Sequence, residues 1–520
     1  MKKGRKLALF ASSAMMLLSL VGCGGGSDKG KTTITVWTTF NDTYQAVITK
    51  AINRFESKYP QFKVNNVKQN GGYNDLKSMV VKGVSSGDYP DIVVAYPDSV
   101  ADFIQTGKAL NIQSYMESTK TIATMVDGKE VNTQIGWTSE DFEDIPTAYI
   151  DEGQNYAVPG TYSLPICKST EAMFYNRSIL INLNLSSYDD EINDGNPLDD
   201  EYLQNLTWDE MFNKLAPALF AYNDDAAVKI LTPSADYEKT WALVGYDSDD
   251  NLFITLAQQY GLGYTSVNKQ TGVGSIDFAE KNADKSFKGV SDGYMNLMKK
   301  FSKAYNHKYF TTKGVLGKNV NYVSTTGGML FSIGSTGGVS YQFSANNPYD
   351  VGVAPIPQAT NDSSYVINQG PSIAFMKRGK DAADIDQHAL ASWLFYKEWM
   401  AKDIHEDWVI TTGYAPVRNS VAQSAGYLAL CDVDKQQPAT LEILKARCYK
   451  YIAQNVNNLF SSPVFYGSSK ARTAVGGIMA DIFNTATLPE DTAAADYATK
   501  MSAYEDKVTS IFRNAFNNAI

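Results

Sequence analysis

Polar and apolar residues alternate through Thr33, Ile34, Thr35, Val36 and Trp37, a two-residue period that predicts a strand. From Ala46 the period changes. Val47, Ile48, Ala51, Ile52 and Phe55 recur every three or four positions until Pro60, which predicts a helix that the proline ends. A short strand is predicted from Phe62 to Val67, and a second helix over Leu76, Met79, Val80 and Gly83. Ile92 to Tyr96 is an unbroken apolar run, the pattern of a strand covered on both faces. The resulting order, β-α-β-α-β, implies a parallel sheet with right-handed crossovers. Ligands of such sheets sit beyond the carboxyl ends of the strands, so Trp37 to Phe40 and Tyr96 to Asp98 are the positions to watch.

The theme repeats downstream. Tyr156 to Pro159, Ala172 to Asn176 and Met329 to Ile333 read as further strands. Thr207 with Glu210 three residues on predicts a capping box that opens a helix and carries no chemistry. Asp249, Asp250 and Asn251 precede the apolar run Leu252, Phe253, Ile254, Leu256 and Ala257; the segment reads as an N-cap, with a ligand contact as the other reading.

The N-terminus adds an address. Lys2, Lys3, Arg5 and Lys6 precede an apolar run from Leu7 to Leu20, the layout of a secretory signal and, at about 14 residues, short for a bilayer span. It ends in Leu20-Val21-Gly22-Cys23, which resembles a bacterial lipobox; residues 1–22 are read as the signal peptide, Cys23 as the lipidated residue, and 23–31 as a flexible tether. An acylated chain so placed is held on the outer face of the cytoplasmic membrane, extracellular or periplasmic. The formal net charge is −10, and loss of the four cations in the signal makes it −14, which argues against nucleic acid as a partner.

The remaining composition mostly excludes chemistry. Cys167, Cys431 and Cys448 allow at most one disulfide; Cys431 with Cys448, or buried free thiols, are both open. Three histidines, His307, His388 and His405, form no catalytic or metal pattern. Asp247 to Asn251 starts like a calcium loop, yet Leu252 and Gln258 stand where glycine and glutamate are needed. The acids Glu140, Asp141, Glu143 and Asp144 read as a solvated face rather than a glycosidase pair. No catalytic residue, metal or cofactor is assigned. The 32 tyrosines offer flat apolar faces with a hydroxyl, a composition that suits sugar binding.

Taken in order, the lipobox, the Ile34 to Tyr96 unit, Ser169 to Asn176, Thr207 to Glu210, Gly327 to Phe331 and Thr412 to Arg418 resemble the family 1 extracellular solute-binding proteins of ABC importers. The resemblance implies a periplasmic-binding-protein type II fold: two discontinuous α/β lobes, crossed three times by the chain, with a ligand enclosed at the hinge. The crossings fall near 160–170, 362–370 and 408–416. Lobe 1 is then 32–165 plus 366–410, and lobe 2 is 166–365 plus 411–520. It also implies a binding protein and not an enzyme, acting as a monomer, with a soluble carbohydrate ligand and the membrane permease subunits of an importer as partners.

Site candidates must lie at strand ends or crossings, where rings can cover a pyranose and polar groups can meet its hydroxyls. Trp37 ends the first strand and Tyr96 the third. Tyr73 occupies the loop before the second helix, matching a frequent contact in glycerol-phosphate binders. Asp98 offers a carboxylate past the third strand, although those relatives hold their acid at the place of Pro97 here. Ser169 and Gly370 sit in the first and second crossings, and Ser335 follows the Met329 to Ile333 strand. Tyr414, in Gly413-Tyr414-Ala415-Pro416, matches a family tyrosine that faces the cleft; Arg418 nearby is either a contact or a brace for its lobe. Where glycerol-phosphate binders place a cation, Pro463 or Val464 stands, and a buried phosphate without a cation is costly. The expectation is therefore a mono- or oligosaccharide, with an organophosphate such as glycerol-phosphate as the alternative and a surface glycosidase as the third reading.

Overall fold

The computed structural model describes residues 30–231, 241–268, 270–317, 329–345, 349–431 and 440–519. The signal segment with Cys23, and Gly327 and Gly328, lie outside these residues.

The N-terminal alternation folds as read: β1 (Thr32–Thr38), α1 (Asp42–Lys58), β2 (Phe62–Lys68), α2 (Tyr73–Ser86) and β3 (Ile92–Ala95). Asn41 caps α1 by accepting from the Tyr44 amide at 3.0 Å. β1 lies between β2 and β3, parallel to both, and strands Ser372–Phe375 and Ser163–Pro165 complete a five-stranded sheet by antiparallel pairing. The chain leaves β3 through a helix rather than an open turn. Pro97 occupies the first position of α3 (Pro97–Gln105), where a missing N–H costs nothing, so Asp98 falls in a helical first turn.

A second five-stranded sheet runs Phe310–Thr312, Val244–Tyr246, Phe331–Ser335, Glu171–Asn176, Val351–Ala354. Each sheet has its own apolar core. The first gathers Ile34, Phe55, Leu164 and Phe375 with Trp393, Trp399 and Trp408 from helices Ala382–Trp399 and Lys402–Thr412. The second gathers Trp208, Phe301, Phe310 and Phe331 with Val508 and Phe512. Two cores on two sheets make two lobes, and the chain passes between them as Ser163–Pro165 gives way to Glu171–Asn176, and again between Val351–Ala354 and Ser372–Phe375.

Three expectations are corrected. Tyr156 to Pro159 form bends and no strand; Pro159 has no amide to donate, and Gly160 at φ 130° turns the chain. The segment after 411, expected in lobe 2, begins in lobe 1: Val417, Val421 and Tyr427 pack into the first core, because Arg418 is pinned to Asp141 and Asp144 of that lobe. The residue capping helix Asp249–Gln259 is Ser248; Asp249 and Asp250 stand in the first turn instead. The capping box of Thr207 and Glu210 is present, each side chain meeting the other's amide at 3.1 and 2.9 Å. Cys167, Cys431 and Cys448 are free thiols. Among the described residues no helix is long and apolar enough to cross a membrane, and no cluster of three metal-ligating side chains occurs.

Candidate functional site

A cleft of about 550 Å3 opens where the carboxyl end of β3 faces the second lobe. The first lobe contributes Tyr96 and Asp98, with Asp151, Glu152 and Gln154 at the end of helix Thr147–Glu152. The second contributes Tyr264, Ser468 and Arg472, and the crossing Asn368-Gln369-Gly370 forms the floor. Gly370 is there by necessity: φ is 117°, and a Cβ would come within 2.5 Å of the Cys167 carbonyl oxygen on the neighbouring crossing.

Arg472, on helix Ser468–Val475, is the cation of the site. Its Nε pairs with Asp250 at 2.7 Å, and Nη2 donates to the Asn251 side-chain oxygen. Nη1 makes no hydrogen bond among the described residues. Burial opposes the charge of Arg472, but Asp250 and Asp98 hold the guanidinium protonated. Across the cleft Asp98 accepts from its neighbour, the Ser99 amide, at 3.1 Å. Burial pushes its carboxyl up, Arg472 pulls it down and Asp250 raises it again, so the acid is held by a cation it shares. Glu152 is tied to the buried Lys168. The polar lining therefore carries more acid than base.

Two further tyrosines stand behind Tyr96. Tyr73 meets Tyr96 edge-on, with ring centroids 4.8 Å apart at 74°, and its hydroxyl lies near that of Tyr414. The Tyr414 ring lies on Gly337 of the second lobe, where a Cβ would stand 2.7 Å from the ring, so no larger residue fits without moving it. Burial raises all three phenols, which stay neutral donors.

At the rim the lobes touch. Lys77 of α2 donates to Ser469 at 3.1 Å, and Ser469 donates to Asp102 of α3 at 2.9 Å. On the other flank the hairpin Thr265–Asn268/Val273–Ile276 brings Gly272 against Ala157 of the first lobe.

Of the nine candidate residues, Tyr96, Asp98 and Gly370 line this cleft. Tyr73 and Tyr414 form the wall behind Tyr96. Trp37 does not reach it: the ring is 8% exposed and packs with Leu76, Val80 and Val93 behind the sheet. Ser169 is buried and pairs through its backbone with Gln369 at 2.8 and 2.9 Å, a crossing contact only. Ser335 spends its hydroxyl on the Gly337 amide at 3.2 Å. Arg418 is the brace: it donates to Asp144 at 2.7 Å, Asp141 at 2.9 Å and the Met400 carbonyl at 2.7 Å, all within the first lobe.

Sequence reasoning missed Arg472, Tyr264 and the acids at 151 and 152. No cation stands at Pro463 or Val464; the cation arrives from the next helix, Ser468–Val475, instead. A signal was present in Asp250 and Asn251, two polar residues at the start of an apolar helix, which turn inward to hold it.

The model of the bacterial extracellular solute-binding protein family matches residues 50–430. The sequence matches no curated protein. Among solved structures, UgpB from Mycobacterium tuberculosis in complex with glycerophosphocholine superposes with a TM-score of 0.58 at 14% identity, covering 94% of this chain and 99% of that one. Maltose-bound T. maritima MalE3 gives 0.57 at 12% identity, covering 92% and 99%. The GacH receptor of Streptomyces glaucescens, solved unliganded and with acarbose, gives 0.54 at 14% identity, covering 92% and 98%. These likenesses show the two-lobed fold.

Proposed function

The chain belongs to the bacterial extracellular solute-binding proteins, and from that membership we propose that it captures a soluble mono- or oligosaccharide outside the cell and delivers it to the permease subunits of an ABC importer. The observation that carries this reading is the composition of the cleft: a tyrosine from each lobe, Tyr96 and Tyr264, and hydrogen-bonding groups from both, Asp98 and Arg472 foremost, facing one space. Rings can cover the C–H face of a pyranose while carboxylate and guanidinium meet its hydroxyls. A ligand touching both lobes favours the closed state over the open one, which is how binding becomes a signal. The protein acts as a monomer tethered by lipid on Cys23, and it binds without turning its ligand over. Its lobes are divided as 32–165 with 366–431, and 166–365 with 440–520.

A glycerol-phosphate or other organophosphate is the second reading, and Arg472 is the observation that favours it. The charge balance weighs against it: the guanidinium is already met by Asp250 at 2.7 Å, and an incoming phosphate would also face Asp98, Asp151 and Glu152.

Calorimetry with malto-, xylo- and mixed oligosaccharides beside glycerol-phosphate diesters separates the two. Saturable binding of a neutral oligosaccharide and none of the diesters is expected; the reverse result overturns the carbohydrate reading. Incubation of labelled oligosaccharide followed by product analysis should return it intact, and any turnover favours the glycosidase reading.

A further inference from the structure

Glu171 opens strand Glu171–Asn176, directly after the first crossing, and is 1% exposed. Both of its carboxylate oxygens are engaged. The Tyr246 hydroxyl donates to Oε2, and the Asn251 amide nitrogen donates to Oε1 at 2.9 Å. The backbone oxygen of Glu171 accepts from Tyr451 at 2.9 Å, which fixes the strand end to helix Leu441–Asn455. Oε1 accepts the nitrogen side of the Asn251 amide, as an ionised carboxylate must and as a protonated one still does when its proton lies on Oε2 toward Tyr246. That leaves the Asn251 oxygen turned the other way, and it is this oxygen that accepts from Nη2 of Arg472. Were the amide reversed, its NH2 would face the guanidinium, donor against donor.

We propose that Glu171, which does not line the cleft, is the positioning residue that sets the direction of Arg472 there by fixing which way the Asn251 amide lies. The chain runs from the hinge strand to the cleft cation in three side chains. With Nε committed to Asp250 and Nη2 to Asn251, Nη1 is the nitrogen of Arg472 with no hydrogen bond among the described residues, in a side chain that lines the cleft with Asp98. The inference rests on the binding reading above, yet it concerns a residue that neither sequence patterning nor cleft lining selects.

The test uses the oligosaccharide that binds most tightly in the calorimetric panel. Glu171→Leu removes both acceptors and should weaken binding about tenfold, whereas Glu171→Gln, whose amide can still accept from Asn251 and donate to Tyr246, should stay within about threefold of the parent. In an Arg472→Met background, Glu171→Leu should add less than about twofold, because the residue it acts through is gone. A lowered melting temperature with unchanged affinity, or the full tenfold loss in the Arg472→Met background, overturns the proposal. If Glu171→Leu does not fold, Asn251→Ala breaks the same chain with Glu171 intact and should show the same loss; parental affinity overturns the proposal. A crystal structure of the folded variant, Glu171→Leu or Asn251→Ala, supplies a readout that needs no ligand. The guanidinium should leave its present position, and an unmoved guanidinium overturns the proposal even if the whole panel fails to bind the parent, a result that would sink the carbohydrate reading alone.

Discussion

Replacing Arg472 by methionine is expected to weaken ligand binding by about 100-fold or more, the range for removing one member of a desolvated charge pair. Two losses combine. The ligand loses a guanidinium donor, and Asp250 and Asp98 lose the cation that offsets their mutual repulsion. Without Arg472 to lower it, the Asp98 carboxyl would rise further and protonate more readily, so residual binding should improve as pH falls. Calorimetry of the variant checks the first effect and its pH series the second. Arg418→Met is the control. Its guanidinium braces Asp141 and Asp144 within one lobe, so the variant should lose melting temperature and keep its affinity. Parental affinity in Arg472→Met, or lost affinity in Arg418→Met, would put the ligand somewhere other than this cleft.

The second large effect is on stability, where two buried groups oppose each other. His405 accepts from the Val417 amide through Nε2 at 3.0 Å, and burial, with Arg418 beside it, pushes its pKa down to about 3. Unfolding frees the ring to take a proton below about 6.5, so the unfolded state binds more protons and stability falls as pH drops, by up to about 5 kcal/mol at pH 3. Glu171 runs the other way. Burial is the largest influence, and its pKa is pushed up to about 7, so between about 4.5 and 7 the folded state holds the extra proton. Its contribution is present below 4.5 and lost as pH rises through 7, at a cost of about 3 kcal/mol above that point. Between pH 5 and 6.5 the slopes cancel. Urea unfolding should show His405→Gln gaining stability relative to the parent as pH falls through this window, and Glu171→Gln gaining it as pH rises. Parallel curves for all three proteins would mean that neither group titrates as its surroundings dictate.

Much of the fold was legible because it is written in local period. The sequence from Thr33 to Tyr96 switches between two-residue and three-to-four-residue repeats, and each switch coincides with a change of element. Gly370 and Asp98 were legible by position, at a crossing and past a strand end. Tyr156 to Pro159 misled because an apolar tetrapeptide has no period long enough to separate a strand from a bend, and Gly160 decides it. Trp37 misled through alternation itself: ending a strand does not say which face a ring takes, and this one turns into the core. Arg472 and Glu171 could not be read locally at all. They lie 301 positions apart in the chain, and only the packing of helix Asp249–Gln259 against helix Ser468–Val475 joins them through Asn251. Side chains that touch across such distances leave no periodic trace.

Everything in the binding account depends on two lobes that close over one guest. Small-angle scattering of the lipid-free chain, with and without a saturating oligosaccharide drawn from the panel, measures that directly. The account predicts a smaller radius of gyration in the liganded sample, matching a shape in which Lys77, Ser469 and Asp102 meet at the rim. Superimposable profiles at demonstrated saturation would contradict it.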